Sequence, residues 1–193
     1  AFEQIVSHVA KMGNRTKGVL RLPMVIRIPF GGGIGGVEHH CDSSEAYYAH
    51  TPGLTVVSPS TPQEAYSLLR AAIASPDPVV FMEPKKLYWS KGPVDTSVVA
   101  SLGRAAVARE GSDVTLIAYG PSVQVALEAA AVAAEDGRSV QVVDVRTLTP
   151  FDDETVMRAV KSTGRAVVIS EAPGFASVAS EIQARVSEQC FEH

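Results

Sequence analysis

The stretch of sequence that decides the fold is Met24–Ser43, which reads MVIRIPFGGGIGGVEHHCDS. Its start, within residues 23–28, is typical of a buried β-strand because branched apolar residues dominate it. Five glycines follow, and glycine allows positive φ angles and a close approach of the backbone to a ligand. Two imidazoles, His39 and His40, come next. Because histidine exchanges protons near neutral pH, this order of strand, loop and histidine predicts the rim of an active site.

Alternating helical and strand-like segments continue on both sides of this stretch. The predicted strands are residues 23–28, 54–57, 78–82, 114–119, 140–145 and 165–169, and the predicted helices are residues 1–12, 44–50, 122–134, 152–161 and 177–188. A further helix should begin at Pro62, a residue suited to the first helical position, and turn Ala65, Leu68, Leu69, Ala72 and Ile73 inward. Such alternation predicts an α/β protein with parallel sheets. The last three strands should form one parallel sheet buried on both faces, because each is nearly continuous in apolar residues.

An irregular segment that contains Gly92-Pro93 separates the two runs of alternating elements. Domain boundaries usually lie in exposed segments of this kind. We therefore expect two three-layer domains with parallel sheets, at residues 1–89 and 102–193, joined by a linker at residues 90–101.

The overall composition excludes several classes of partner. The net charge is −4, and Lys85-Lys86 is the largest basic cluster, so we expect no binding to nucleic acid. No apolar run reaches the ~18 residues of a membrane span, so we expect no membrane partner. The two cysteines, Cys41 and Cys190, do not form a disulfide framework pattern, which favours a reduced, intracellular setting.

The glycine loop and its histidines have alternative interpretations. The loop matches the dinucleotide pattern G-x-G-x-x-G, but no acidic residue ends the strand at 54–57 to bind a ribose. A flexible surface loop remains an alternative. A structural zinc site on His39, His40 and Asp42 is disfavoured, because no third imidazole has suitable spacing. Cys41 could be an activated nucleophile, but a small packing residue is the better interpretation.

Two further motifs follow predicted strands. Glu83-Pro84-Lys85 lies where strands of parallel sheets face ligands, and a surface turn with an ion pair is an equal alternative. Asp144-Val145-Arg146 ends another strand, and Asp152 is a natural helix N-cap. For this second motif we favour a cap and a strand-end ion pair over a ligand site.

Longer motifs resemble one family closely. Residues Phe30–Ser43 with Glu45-Ala46, His50–Pro59 and Asp77–Lys85 are similar to the beta subunit of thiamine-dependent 2-oxo acid dehydrogenases. Residues Asp144–Asp152 resemble the signature of the family's transketolase-like C-terminal domain. Together the motifs extend the resemblance over essentially the whole chain.

The resemblance implies an enzyme that oxidatively decarboxylates 2-oxo acids and transfers the acyl group to a lipoyl domain. Glu83-Pro84-Lys85 with Leu87-Tyr88 looks more like the branched-chain (2-oxoisovalerate) type than the pyruvate type. The alternatives are a pyruvate or acetoin dehydrogenase subunit and, from another class, a non-catalytic α/β assembly fragment.

The resemblance also implies cofactors and partners. It implies a heterotetramer of two alpha and two beta subunits, with thiamine diphosphate between them and magnesium held by the alpha subunit. A lipoyl-bearing acyltransferase accepts the product. The expected compartment is the bacterial cytoplasm, or the mitochondrial matrix of a eukaryote.

Alignment with the family places several of its site residues on residues of this chain. The family's substrate-facing histidine falls on His40, although Cys41 and Asp42 stand where the family often has Ser and Gln. The resemblance also implies a potassium ion bound by six backbone carbonyls. These belong to Leu22, Met24, Val25, Ala72, Ser75 and Asp77. The glutamate that activates the cofactor's aminopyrimidine should lie upstream of residue 1, and we expect the chain to be incomplete at both ends.

Overall fold

The computed structural model describes residues 1–193, with seven α-helices and eight β-strands. The helices are α1 (Phe2–Ser7), α2 (Met12–Arg15), α3 (Glu45–Ala49), α4 (Pro62–Ala74), α5 (Ser122–Glu135), α6 (Asp153–Thr163) and α7 (Val178–Cys190). The strands are β1 (Val25–Phe30), β2 (Thr55–Val57), β3 (Val79–Pro84), β4 (Ala106–Arg109), β5 (Val114–Ala118), β6 (Val140–Asp144), β7 (Thr147–Thr149) and β8 (Ala166–Ile169). Short 3₁₀ turns occupy Val9–Lys11, Glu38–His40 and Lys85–Leu87.

The first sheet has the strand order β1-β3-β2-β7. Its first three strands are parallel, with Ile26 and Val56 both paired to Val80 of the central strand β3. The fourth strand, β7, lies antiparallel to β2 although it comes from the second half of the chain. The sequence did not predict β7, because this strand pairs with β2 of the other half of the chain, and no local pattern signals that contact. Its pairing joins the two halves through backbone hydrogen bonds.

The second sheet has the strand order β4-β6-β5-β8. Strands β6, β5 and β8 are parallel to one another, which confirms that these three strands form one parallel sheet. The antiparallel edge strand β4 was not predicted. The prediction that all three parallel strands are buried on both faces is wrong for β8, where Val167 is 48% exposed. β8 is more exposed than β5 and β6 because it is the edge strand and has a neighbouring strand on one side only.

Two details of the predicted helices are also wrong. The single helix predicted over residues 1–12 is divided, because α1 ends at Ser7, and α2 runs through Gly13 to Arg15. Neither short helix has a side-chain cap, and the chain between them tightens into a 3₁₀ turn. On α4, Leu68 is fully buried as predicted, whereas Ile73 is 66% exposed. The face of α4 that the sequence predicted to be buried is therefore wider than the face that the structure buries.

Side-chain caps fix the ends of the longer helices. Thr61 accepts a hydrogen bond from the amide of Glu64 at the start of α4, with Pro62 at the first position. Asp152 caps α6 by accepting from the amide of Thr155, which confirms its predicted role. Ser44 occupies the N-cap position of α3 but makes no capping bond.

One apolar cluster crosses the boundary between the halves. Phe30 and Met82 of the first sheet belong to the same cluster as Ile117, Val145 and Ile182 of the second half. Residues 90–101 contain no helix or strand, and Gln63 and Arg70 of α4 hydrogen-bond to their backbone. None of the helices has the length and apolar character that a membrane span requires.

Candidate functional site

The glycine loop begins where β1 ends and turns sharply beside Glu171, a residue of the second half of the chain. Gly31 has a φ of +83°, and a Cβ there would lie 2.2 Å from the Oε1 atom of Glu171. The Gly31 amide donates a 2.9 Å hydrogen bond to the carbonyl of Asp42, and the Gly32 amide donates to Glu171 Oε1 at 3.3 Å. Positive φ and close approach together explain why the loop begins with glycine.

His40 lies on the exposed part of this rim, at the end of the 3₁₀ turn Glu38–His40. Its ring lies beside that of His39, with centroids 4.1 Å apart and planes tilted by 42°. The His39 Nδ1 atom lies 3.8 Å from the carboxylate of Glu38. Neighbouring Cys41 is half-buried, and its Sγ lies 3.5 Å from the Gly36 carbonyl. The rim therefore presents two adjacent imidazoles to solvent.

A buried acid, Glu45, follows the histidines directly and was missed as a site residue. Glu45 is fully buried, and the Tyr119 hydroxyl donates a 2.9 Å hydrogen bond to its Oε1 atom. The same hydroxyl lies 2.9 Å from Ser170 Oγ, while Glu45 Oε2 has no hydrogen-bond partner. Burial raises the pKa of Glu45, and the charge of Glu171 adds to the rise. No local sequence signal identifies Glu45, because Tyr119 lies 74 residues further along the chain.

The surroundings of Glu45 also change the pKa of Tyr119. Burial, followed by the nearby Glu45 carboxyl, raises the pKa of the Tyr119 hydroxyl well above its ordinary value. The hydroxyl therefore stays protonated and acts as a hydrogen-bond donor to Glu45. The carboxyl ends of β1, β5 and β8 meet at this cluster, which is where parallel sheets of this class place ligands.

A second buried acid lies at the contact between the halves. Asp144, at the end of β6, is 2% exposed, and the Ser60 hydroxyl donates to its Oδ2 atom. Burial, followed by the charge of Glu64, raises the pKa of Asp144 well above its ordinary value. Arg146 has a φ of +53° and bonds to Glu64 at 2.9 Å, while its amide donates to Asp144. The Asp144 motif thus forms a hydrogen-bond network with an ion pair at the end of β6, which is the interpretation that the sequence analysis favoured over a ligand site.

These two buried acids predict how stability depends on pH. A carboxyl whose pKa is raised on folding binds more protons in the folded than in the unfolded state, so the free energy of unfolding falls as pH rises. For Glu45 the fall begins near the ordinary value of ~4.3 and continues through the raised value. We expect Glu45→Gln to flatten this fall, by at most ~1.4 kcal/mol per pH unit for one proton.

Urea denaturation between pH 4.5 and 8 measures this effect. Glu128→Gln on the exposed face of α5 is the matched control, and its curve should run parallel to that of the unsubstituted protein. Equal pH slopes for Glu45→Gln and the unsubstituted protein would contradict the assignment.

The Glu83 motif forms an ion pair and borders a cavity. Glu83 binds the guanidinium of Arg27 and accepts a 2.8 Å hydrogen bond from the Tyr88 hydroxyl. Burial, followed by this hydrogen bond, raises the pKa of Tyr88 to about 12. A cavity of about 700 Å³ lies beside the group, and Trp89 on its border is 91% exposed. The ion pair that the sequence suggested is present, and a ligand-facing position for Glu83 stays a prediction.

The six carbonyls expected to bind potassium lie around the start of β1 and the end of α4. The Met24 carbonyl accepts from the Val79 amide, and the Ala72 carbonyl accepts from the Ser75 amide. The Asp77 carbonyl accepts from Ser75 Oγ at 2.9 Å. Leu22 and Asp77 border a cavity of about 400 Å³. A potassium site on these carbonyls remains a prediction. No group of three or more His, Cys, Asp or Glu side chains could hold a metal ion.

Comparison with known protein families divides the chain into two parts. Residues 1–90 match the transketolase pyrimidine-binding domain family. Residues 103–193 match the transketolase C-terminal domain family. A solved structure, "Split gene transketolase, inactive beta4 tetramer", has the same fold over 98% of this chain and 59% of its own, with a TM-score of 0.81 and 24% identity.

Similar proteins come from two substrate classes. The chain is 52% identical, over 98% of its length, to a pyruvate dehydrogenase E1 component subunit beta of Leifsonia xyli. It is 47% identical, over 99% of its length, to a 3-methyl-2-oxobutanoate dehydrogenase subunit beta of Mycobacterium tuberculosis. It is 43% identical, over 98% of its length, to a 2-oxoisovalerate dehydrogenase subunit beta of Bacillus subtilis. The matched regions cover 57%, 56% and 59% of these relatives, respectively.

Proposed function

Because the chain combines a transketolase pyrimidine-binding domain with a transketolase C-terminal domain, we propose that it is beta-subunit sequence of a thiamine-dependent 2-oxo acid dehydrogenase. The proposed reaction is oxidative decarboxylation of a branched-chain 2-oxo acid, with transfer of the acyl group to a lipoyl domain. The observation that carries the proposal is the glycine loop after β1, which contacts Glu171 of the second half through Gly32 and bears exposed His40. Similarity to dehydrogenase beta subunits extends over nearly the whole chain, which supports this assignment.

In this proposal His40 is the acid for acyl transfer to the lipoyl group. When the lipoyl disulfide is broken, the leaving sulfur needs a proton. An imidazole can supply that proton near neutral pH if it lies within hydrogen-bond reach of the sulfur. A positioned proton donor of this kind typically contributes ~10²–10⁴-fold to the rate. The exposure of His40 leaves it accessible to a lipoyl group delivered by another protein.

The rim fits one part of a thiamine diphosphate site. Gly32 and Gly35 have open space around their Cα atoms, so their backbone could contact a flat ring, and His40 lies on the same rim. We assign magnesium and the diphosphate to an alpha subunit, as the family resemblance implies. When bound, the cofactor would supply the carbanion chemistry, while these residues orient it and move protons.

We propose the branched-chain type over the pyruvate type on the residues around Glu83. Glu83, Lys85 and Tyr88 match the branched-chain pattern, and Glu83 and Tyr88 are hydrogen-bonded to one another. The pyruvate alternative is supported by the 52% identity to the Leifsonia xyli subunit. A substrate panel on the full-length heterotetramer separates the two types. We expect the highest kcat/KM with 3-methyl-2-oxobutanoate. A higher value with pyruvate would contradict the branched-chain type and favour the pyruvate type.

The proposed partners are an alpha subunit, a second beta subunit and a lipoyl-bearing acyltransferase. The proposed compartment is the bacterial cytoplasm or the mitochondrial matrix, since relatives include bacterial chains and one from Dictyostelium named as mitochondrial. The alternative from another class is a non-catalytic assembly fragment. Binding of thiamine diphosphate, measured with and without an alpha subunit, distinguishes them, because a non-catalytic fragment should not increase binding.

We also propose the division into domains at residues 1–89 and 102–193, with residues 90–101 as the linker. We expect limited proteolysis of the protein to cut within residues 86–101 before it cuts within residues 114–169. Most residues of the linker are exposed and none belongs to a helix or strand, whereas β5 and β6 are buried. First cuts inside residues 114–169, located by mass spectrometry, would contradict this division.

A further inference from the structure

The loop that bears His40 begins at one buried residue, is followed by another, and is exposed in its middle. We define the histidine loop as residues 31–44. Gly31 is buried at its start, Glu45 is buried immediately after its end, and residues 33–40 are exposed. Within its exposed part the loop bonds to itself, as from the His40 amide to the Val37 carbonyl and from Cys41 Sγ to the Gly36 carbonyl. The contacts at the two ends therefore link this part, with His40, to the rest of the fold.

Both ends are anchored by residues of the second half of the chain. At the first end, Glu171 accepts a hydrogen bond from the Gly32 amide and lies where a Cβ on Gly31 would be. At the second end, the Tyr119 hydroxyl donates to Glu45 at 2.9 Å. Tyr119 and Glu171 follow β5 and β8, two adjacent strands of one sheet. The same rigid element therefore holds both ends.

Ser170 links the two anchors. Its hydroxyl oxygen lies 2.9 Å from the Tyr119 hydroxyl and accepts a 3.1 Å hydrogen bond from the Ala172 amide. Since Ser170 precedes Glu171 directly, this bond fixes the turn that presents Glu171 to the glycines. Within the histidine loop, the bond from the Gly31 amide to the Asp42 carbonyl ties its two ends to each other.

The anchor at Glu45 has a feature that packing alone does not explain. Its Oε2 atom is buried without a hydrogen-bond partner, and an unsatisfied buried polar atom destabilises a fold. An apolar residue at this position would remove that cost. Such unpaired groups call for a specific explanation, and here the polar group gives the histidine loop a directional bond to Tyr119.

We propose that Glu45, Tyr119 and Glu171 are positioning residues that hold the histidine loop, so that the second domain sets where His40 meets the lipoyl group. This inference rests on the proposed function and adds three residues to it. None of the three needs to touch the substrate. Their effect should fall on the acyl-transfer step that uses His40, and not on decarboxylation in general.

The test uses the full-length heterotetramer and compares Tyr119→Phe, Glu45→Ala and Glu45→Gln. Two reactions are measured, acylation of a lipoyl domain and decarboxylation with an artificial electron acceptor. We expect Tyr119→Phe and Glu45→Ala to lower kcat for acylation about fivefold or more, the scale of a lost buried hydrogen bond. KM for the lipoyl domain and the artificial-acceptor reaction should change by less than about twofold.

Glu45→Gln is the conservative variant. The glutamine oxygen can still accept a hydrogen bond from the Tyr119 hydroxyl, and its side chain is uncharged, which burial favours. This variant should therefore retain most of the acylation rate. Tyr47→Phe is the matched control, because Tyr47 is a 65% exposed tyrosine on α3. Hydrogen–deuterium exchange over residues 31–44 gives a readout independent of activity. Exchange should increase in Tyr119→Phe and Glu45→Ala and stay unchanged in the other two variants.

Each outcome decides the inference. If Glu45→Ala does not fold, Tyr119→Phe alone carries the test. Unchanged acylation and unchanged exchange in Tyr119→Phe overturn the positioning role, and an equal loss of both reactions overturns it as well. If His40→Ala is inactive while Tyr119→Phe is normal, only this inference fails. If the unsubstituted heterotetramer decarboxylates no 2-oxo acid, the proposed function fails, and the exchange data still decide whether Tyr119 anchors the loop.

Discussion

His40→Ala in the full-length heterotetramer is expected to lower the rate of lipoyl acylation at least tenfold, which is a loss of ~1.4 kcal/mol of transition-state stabilisation. The reason is that the substitution removes the imidazole that, in our proposal, donates a proton to the leaving sulfur. The measurement is the formation of acyl-lipoyl domain under single-turnover conditions, which separates acyl transfer from product release.

His39→Ala is the matched control for this prediction. The two rings are neighbours with centroids 4.1 Å apart, so both variants remove an exposed imidazole from the same turn. We expect the smaller loss for His39→Ala, because the proposal assigns the proton donor to His40 alone. An unchanged acylation rate in His40→Ala, or a larger loss in His39→Ala, would contradict the assignment of His40.

Leu68→Ala is expected to destabilise the protein by ~2–5 kcal/mol, because truncation of a buried leucine leaves a cavity. Leu68 is fully buried between α4 and the first sheet, in a cluster with Val57, Val79 and Phe81. Ile73→Ala on the same helix is the control, because its side chain is 66% exposed. Its effect should stay within about 0.5 kcal/mol. Urea denaturation measures both, and comparable losses would show that α4 packs with a different face.

The comparison of Leu68 and Ile73 shows what local pattern can predict. Apolar spacing and Pro62 located α4 and its start, and the predicted cap residue Asp152 located the start of α6. The same spacing placed both Leu68 and Ile73 inward, but the width of the buried face depends on the sheet against which the helix packs. That contact is tertiary, and a single helix carries no signal for it.

Elements and site residues that depend on distant partners were missed for the same reason. Strand β7 has three residues and pairs with β2 of the other half, so its identity comes from the partner strand. Glu45 joins the candidate site only because the Tyr119 hydroxyl, which also lies beside Ser170 Oγ, donates to it from the second sheet. By contrast, the glycines and His40 form one continuous motif, so the sequence alone was enough to predict a rim there, and its role as a site stays a prediction.

The central proposal is that this chain supplies the beta-subunit part of a 2-oxo acid dehydrogenase. The most direct test is reconstitution of the full-length protein with an alpha subunit, thiamine diphosphate, magnesium, a lipoyl domain and a labelled branched-chain 2-oxo acid. We predict that carbon dioxide is released and an acylated lipoyl domain forms only when both subunits are present. Equal activity of the alpha subunit without this protein, or no acylated lipoyl domain with any 2-oxo acid, would contradict the account.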